Sequence, residues 1–149
     1  MGDRQESSAP SIEGSIASDS LRDVHVLVVD DQEDARDLLA VVLTNAGAKV
    51  TLAESASVAL RAIAETDFGI LVSDIGMPEQ DGYDLIRRLR RGDGSARSRQ
   101  IPAVAVTAFS APEDRRKALA AGFQAHLPKP VDLIELVAVL ARLRASSAV

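Results

Sequence analysis

Five short apolar runs alternate with longer segments of helical periodicity, and this alternation is what most constrains the fold. The runs cover residues 24–29, 49–53, 68–74, 101–108 and 125–127, and each is followed by apolar residues at helical spacing. Consecutive parallel strands need a crossover connection, which is usually a helix. The pattern therefore predicts an α/β domain in which a doubly wound, five-stranded parallel sheet is covered by five helices.

The composition narrows the class of protein. The chain has 149 residues, 46% of them hydrophobic and 3% aromatic, so one domain with an aliphatic core is expected. The formal net charge of −5 argues against nucleic-acid binding. No apolar run is long enough to span a membrane. The lack of Cys excludes disulfides and fits a reducing compartment, so a cytoplasmic location is expected.

The chain divides into three parts. Residues 1–20 contain six Ser and no hydrophobic period, which indicates a disordered tail or linker. Residues 21–145 carry the alternating pattern and form the predicted domain. Residues 146–149 are expected to be a frayed end. Within the domain, 92–100 is expected to be a flexible loop because it is polar and contains two Gly.

Acidic residues follow two of the apolar runs at the point where each run ends. Asp30 and Asp31 close the first run, and Asp74 closes the third just before Gly76. In open α/β sheets, ligands bind at the carboxyl edge of the strands, so these acids are candidates for a functional site. Asp74 is equally consistent with a turn former, and Asp31 taken alone with a helix cap.

Two further polar residues are predicted at the same edge. Thr107 ends the fourth run, and Lys129 follows the fifth. Three carboxylates in one place repel each other unless a cation is present. Oxygen ligands without His or Cys favour a hard ion, so Mg²⁺ is the expected cofactor. Lys129 can neutralise an incoming phosphoryl group, and the Asp74 carboxylate can act as a nucleophile and form an aspartyl-phosphate.

This constellation resembles the response-regulator receiver domain, and the resemblance runs from about Val24 to Leu143. The motifs that carry it are Val29-Asp30-Asp31, Asp74 with Met77-Pro78 and Asp81-Gly82, Thr107-Ala108, and Lys129-Pro130. The resemblance implies a flavodoxin-like sheet with the strand order 2-1-3-4-5.

The resemblance also implies roles for the site residues. Asp74 would be the phosphoacceptor, and Thr107 and Lys129 would contact the phosphoryl group. Asp31, Asp74 and the backbone carbonyl of Gly76 would ligate Mg²⁺, with Asp30 helping through a water molecule.

The chain departs from the family at one position and is distinctive at two others. Receivers usually carry Tyr or Phe as a switch residue three positions before the motif Lys, whereas this chain has His126. His126 is either a titratable switch or a passive strand residue. In the family, Gly76 and Phe109 would flank the approach of water to the phosphoryl group, and neither offers a polar side chain.

The expected function is that of a phosphoacceptor switch in a two-component phosphorelay, rather than an enzyme. The phosphodonor would be a histidine kinase or a histidine phosphotransfer protein. A protein partner would bind the face made by the fourth helix, fifth strand and fifth helix.

The first alternative is a receiver module of a hybrid histidine kinase. An aspartyl-nucleophile phosphatase is disfavoured because Gly76 stands where that class needs a second acid. A flavodoxin-like cofactor binder is disfavoured by the acids after the first strand.

Overall fold

In a computed structural model of the protein, residues 19–77, 81–109 and 111–147 are described. Most of the predicted tail, Pro78 of the motif around Asp74 and the last two residues lie outside these ranges. The described chain begins with a turn, and the Leu21 backbone N–H then donates to the Ala46 carbonyl at 2.8 Å.

In the described part of the chain, five parallel strands form one sheet, and five α-helices and a short 3₁₀ helix connect or flank them. The strands are β1 (His25–Val29), β2 (Lys49–Ala53), β3 (Ile70–Asp74), β4 (Ala103–Thr107) and β5 (Ala125–Pro128). The helices are α1 (Glu33–Asn45), α2 (Ala56–Glu65), α3 (Gly82–Arg91), α4 (Pro112–Ala121) and α5 (Leu133–Ser147). The sheet order is β2-β1-β3-β4-β5, so the predicted fold class and strand order are confirmed.

Side chains alternate between two cores, one on each face of the sheet. Val26 and Val28 of β1 point into a core completed by α1 and α5. Leu27 and Val29 point into a second core, completed by α2, α3 and α4. Both faces of the central strands are therefore dry, which explains why β1, β3 and β4 are continuous apolar runs rather than alternating ones.

Two segments differ from the expectations drawn from the sequence. Helix α5 continues to Ser147, so 146–147 are helical rather than frayed, since neither Gly nor Pro interrupts the helix there. The 92–100 segment is not simply a loop, because Ala96–Gln100 forms a 3₁₀ helix with a buried Ser98. Gly92 ends α3 in the left-handed conformation, with φ of 87°.

Arg90 is the reason that this segment is ordered. Its guanidinium donates to the carbonyl oxygens of Arg99 and Ile101, at 2.8 and 2.7 Å. It also donates twice to the carbonyl of Gly122, at 3.1 and 2.8 Å, and once to the side chain of Gln124, at 3.0 Å. One planar cation thus joins the end of α3 to the 3₁₀ helix and to the α4–β5 connection.

Replacing Arg90 tests this interpretation. We expect Arg90→Lys to lower the free energy of unfolding by on the order of 2 kcal/mol, because an ammonium cannot satisfy several carbonyls that face a planar fork. Arg91→Lys is the matched control, since the Arg91 side chain is 65% exposed and its ion pair among the described residues is with Asp93. Its effect should stay within roughly 0.5 kcal/mol. Urea unfolding followed by circular dichroism measures both, and equal effects would contradict the proposed role of Arg90.

Candidate functional site

The sheet topology brings the three acids together. Strands β1 and β3 are neighbours, and Asp30 and Asp31 follow β1 directly while Asp74 is the last residue of β3. Oxygen atoms from these three carboxylates lie within 4.8 Å of one another. Asp30 and Asp74 are buried, with 3% and 7% of their surface exposed. Two carboxylates thus sit in a poorly solvated place where their charges repel.

Lys129 lies between these two buried acids. Its ammonium is 3.2 Å from the Asp30 carboxylate and 3.6 Å from that of Asp74. The β5 strand positions Lys129, and its backbone N–H donates to the carbonyl of Thr107 at the end of β4. Fixing the backbone on both sides of the cation limits the places where its side chain can reach.

The electrostatics of Asp74 and Lys129 reflect their burial. Burial raises the pKa of Asp74, and the charge of Asp30 raises it further, whereas Lys129 and the Gly76 N–H oppose the shift. Burial alone would lower the pKa of Lys129, but the carboxylates of Asp74 and Asp30 outweigh it and raise that pKa. Lys129 is therefore firmly charged, while Asp74 is a carboxylate that lacks sufficient positive charge around it.

The β4–α4 connection closes another side of the site. The Thr107 hydroxyl accepts a hydrogen bond from the backbone N–H of Phe109 at 3.0 Å. The Phe109 carbonyl in turn lies 3.0 Å from Nε2 of His126, which donates to it in the tautomer that carries a proton there. Phe109 thus connects Thr107 at the site to His126 on β5, although its own side chain is 60% exposed.

A cavity of about 270 Å³ opens above the acids. Its lining combines polar and apolar groups from the carboxyl ends of four strands: Asp31, Gln32, Asp74, Gly76, Thr107, Ala108, Phe109 and Lys129. The Gly76 backbone N–H donates to the Asp74 carboxylate at 3.3 Å. Among the described residues, a Cβ added at Gly76 would meet the Phe109 ring, at an ordinary contact distance of 3.6 Å.

The donor set fits a hard divalent cation. The acidic groups that could bind an ion are three Asp carboxylates, two of which are buried. Carboxylate oxygens are the ligands that Mg²⁺ prefers. Asp31 and Asp74 line the cavity directly, whereas the carboxylate of Asp30 already accepts from Lys129 and from the Gln32 backbone N–H. The direct role expected of Asp31 and Asp74, and the indirect one expected of Asp30, stay predictions.

Two residues near the site were missed from the sequence. Gln32 lines the cavity, and Arg36 donates to the Asp30 carbonyl at 2.8 Å. Gln32 gives a usable signal, since it directly follows the two acids in the same loop. Arg36 gives none, because it lies within a polar helix face and its contact depends on the path of the preceding loop.

The burial of Asp74 generates a prediction about stability. The folded protein binds a proton at Asp74 more tightly than the unfolded chain does, so ionisation of Asp74 costs stability above its folded pKa. We expect Asp74→Asn to raise stability at pH 7 in EDTA by on the order of 1 kcal/mol, or a few degrees in Tm. The gain should fade as the pH falls below about 3.9, the ordinary Asp pKa, because Asp74 then becomes protonated in both states. Thermal unfolding with and without Mg²⁺ measures it.

The exposed pair partner Asp84 provides the control for that prediction. Its side chain is 44% exposed and bonds to Arg87, so Asp84→Asn should leave Tm nearly unchanged at both pH values. With Mg²⁺ present, the wild type should recover most of the difference, because the cation relieves the repulsion. A wild type that is more stable than Asp74→Asn in EDTA would contradict the account of the site's electrostatics.

Comparison with known proteins agrees with this geometry. Residues 26–141 match the response regulator receiver domain family. A 14.6 kDa protein of Leptolyngbya boryana is 44% identical over 118 residues, covering 79% of this chain and 88% of that one. The sensor histidine kinase RcsC of Salmonella typhi is 36% identical over 124 residues, which cover 83% of this chain but 13% of the kinase.

A solved structure shows the same architecture. The receiver domain of the Francisella response regulator 1452 has a TM-score of 0.77 and 25% identity, covering 84% of this chain and 99% of that one. Within the part of the chain that the structure describes, no helix has the length and apolar character needed to cross a membrane. By its sequence match, its strand order and its cluster of acids, the chain belongs to the response-regulator receiver domain family.

Proposed function

We propose that this domain is a phosphoacceptor switch that takes a phosphoryl group on Asp74 from a histidine kinase or histidine phosphotransfer protein. The observation that carries the proposal is the position of Lys129 between Asp30 and Asp74, with Thr107 and Asp31 on the same cavity. A buried carboxylate beside a cation and a hydroxyl has the groups that phosphoryl transfer requires.

The residues divide the chemistry between them. An Asp74 oxygen forms the new bond to phosphorus as the bond to the donor's imidazole nitrogen breaks. Lys129 leaves part of its interaction with Asp30 and neutralises the incoming oxygens, and the Thr107 hydroxyl donates to one of them. Asp31, Asp74 and the Gly76 carbonyl would hold Mg²⁺, which supplies further positive charge when bound. The domain turns over only its own phosphoryl group, so we do not class it as an enzyme.

An apolar cavity next to the site suits the phosphodonor. Its volume is about 240 Å³, and Lys129 and Asp30 form the border that it shares with the acidic site. Leu38 and Val41 of α1 lie exposed beside it, at 51% and 58%. The first turns of α1 also carry exposed acids at 33, 34 and 37. A donor helix with apolar anchors and basic flanks would match this surface and bring its histidine over Asp74.

The output is proposed to be read at α4, β5 and α5. When Thr107 turns towards a phosphoryl group, it gives up the hydrogen bond from the Phe109 N–H, and the Phe109 carbonyl is what His126 contacts. Loading of Asp74 is thereby connected to the β5 surface through two hydrogen bonds. We propose His126 as the switch residue of that face, and a cytoplasmic location for the relay.

A second setting for the same function has specific support. The match to RcsC covers a small part of a sensor histidine kinase, so receivers like this one occur inside kinases. The match to the Leptolyngbya boryana protein covers most of that protein. The chemistry proposed for Asp74 is the same in both settings, but the phosphodonor in a hybrid kinase would be part of the same protein.

The proposal is tested by loading the protein with acetyl phosphate and Mg²⁺ and measuring its intact mass. We expect the wild type to gain the mass of one phosphoryl group, and Asp74→Asn to gain none. Lys129→Met should load much more slowly, because the incoming charge loses its buried cation. EDTA should abolish loading. Labelling of Asp74→Asn, or unchanged loading in EDTA, would contradict the proposal.

The same sample tests His126. Its imidazole resonances, followed by NMR in wild type and assigned with His126→Gln, should shift when Asp74 is loaded, because the Phe109 carbonyl moves. His25 serves as the internal reference, since it bonds to Thr51 at 2.7 Å far from the site. Resonances of His126 that stay fixed in the loaded protein would show that the position is passive.

The wall formed by Gly76 and Phe109 points to a long-lived phosphoryl group. Hydrolysis of an aspartyl-phosphate needs a water molecule placed in line with phosphorus. Neither residue has a side-chain hydrogen-bonding group, and the Phe109 ring covers the Gly76 side of the cavity. Loading does not depend on water, so loading should be efficient while decay is slow.

Polar substitutions on this wall should shorten the lifetime. We expect Gly76→Asn with Phe109→Glu to accelerate decay by about tenfold or more, because both side chains can orient water. Gly76→Ala with Phe109→Leu is the steric control, which changes the wall without adding polar groups. Decay is measured by intact mass after removal of the donor. If the wild type decays as fast as the polar double variant, water enters by another route.

A further inference from the structure

Gln32 is a polar residue of the cavity that the roles given above leave unused. It occupies the N-cap position of α1, with extended backbone angles of −95° and 118°, yet its side chain makes no capping hydrogen bond. Its backbone N–H donates to the Asp30 carboxylate at 2.9 Å, which fixes the backbone against the acidic site. The residue is exposed and also lines the cavity above Asp74.

Helix stability does not account for glutamine at this position. Ser, Thr, Asp and Asn are the residues that cap helices well, because their short side chains reach the free N–H groups of the first turn. The simplest alternative is an exposed polar residue without a role. Against it stands the position of Gln32, which is held by Asp30 at the rim of the reacting cavity.

The roles given to the other cavity residues do not include the orientation of a water molecule. Asp31 and Asp74 serve the metal and the phosphoryl group, and Thr107 and Lys129 neutralise charge. Gly76, Ala108 and Phe109 have no polar side chain. Among the described residues that line the cavity, Gln32 therefore supplies the remaining polar side chain. The oxygen of a primary amide can accept a hydrogen bond from a water molecule and so orient it.

We propose that the Gln32 amide is the positioning residue for the water that hydrolyses phosphorylated Asp74. The proposal rests on the function proposed above. In this step the water oxygen forms a bond to phosphorus, and the phosphorus–oxygen bond to Asp74 breaks. The electron pair stays on the carboxylate, and both protons of the water leave on the phosphate. Gln32 acts by orientation alone, since a neutral amide is not a base at this pH.

This role agrees with a slow decay. The wall formed by Gly76 and Phe109 gives water no partner, so attack depends on the side of the cavity formed by the β1–α1 loop. Orientation of water by one amide accelerates hydrolysis less than a general base would. Gln32 then sets the residual rate, and the phosphoryl group still outlasts the transfer step that loads it.

The test replaces Gln32 with Met, which has similar length and no amide. We expect phosphorylated Gln32→Met to decay about fivefold more slowly than wild type, which is the scale of one lost hydrogen bond. Loading from acetyl phosphate, which needs no positioned water, should stay within about twofold. A merely structural disturbance of the site would slow both steps. Gln32→Asn should restore part of the decay rate, because it keeps the amide on a shorter chain.

Gln100→Met is the matched control, since Gln100 is an exposed glutamine of the 3₁₀ helix and does not line the cavity. It should leave both rates unchanged. Loading and decay are read from intact mass on the same samples. Absence of any phosphoprotein in the wild type would overturn the proposed function. Normal loading with equal decay in Gln32→Met and wild type would overturn this inference alone, and so would loss of loading and decay together.

Discussion

The Lys129 ammonium, shared between the buried carboxylates of Asp30 and Asp74, is the interaction on which the rest of the site depends. Two desolvated acids on adjacent strand ends would repel each other, and a buried ion without a partner is costly. The Lys129 contacts at 3.2 and 3.6 Å compensate the repulsion between the two carboxylates only in part, since the pKa of Asp74 stays raised. Carboxylates whose charge is only partly neutralised in this way are suited to bind a cation.

Most of this arrangement follows from local sequence. An apolar run that ends in an acid predicts a buried strand with that acid at the sheet edge, and the parallel topology brings such edges together. This reasoning is sufficient to place four site residues at the sheet edge: Asp30, Asp74, Thr107 and Lys129. The apolar alternation also predicts the number of strands, although their order came from the family resemblance.

The contacts that the sequence did not predict depend on backbone carbonyls that only tertiary structure orients. Arg90 looks like its neighbours Arg88 and Arg91 in the helical pattern, yet it alone of the three donates to backbone carbonyls of two separate segments. Periodicity places a side chain on a helix face, but it does not tell which carbonyls converge there. The sequence therefore does not predict the 3₁₀ helix, because a polar stretch with two Gly is typical of a flexible loop.

The two sides of the cavity differ in chemical character. We expect this difference to connect the lifetime of the phosphoryl group with signalling. The β1–α1 loop contributes polar side chains, whereas Gly76 and Phe109 contribute none. Phe109 has two connections to the switch, because its N–H bonds to Thr107 and its carbonyl contacts His126. In the proposed switch, a Thr107 hydroxyl that turns to a phosphoryl oxygen would free the Phe109 backbone. Phe109, which borders the site, would then move when the site is loaded. The shielding of the phosphoryl group from water and the change at the β5 surface are thus expected to occur together, since both depend on the position of the β4–α4 connection.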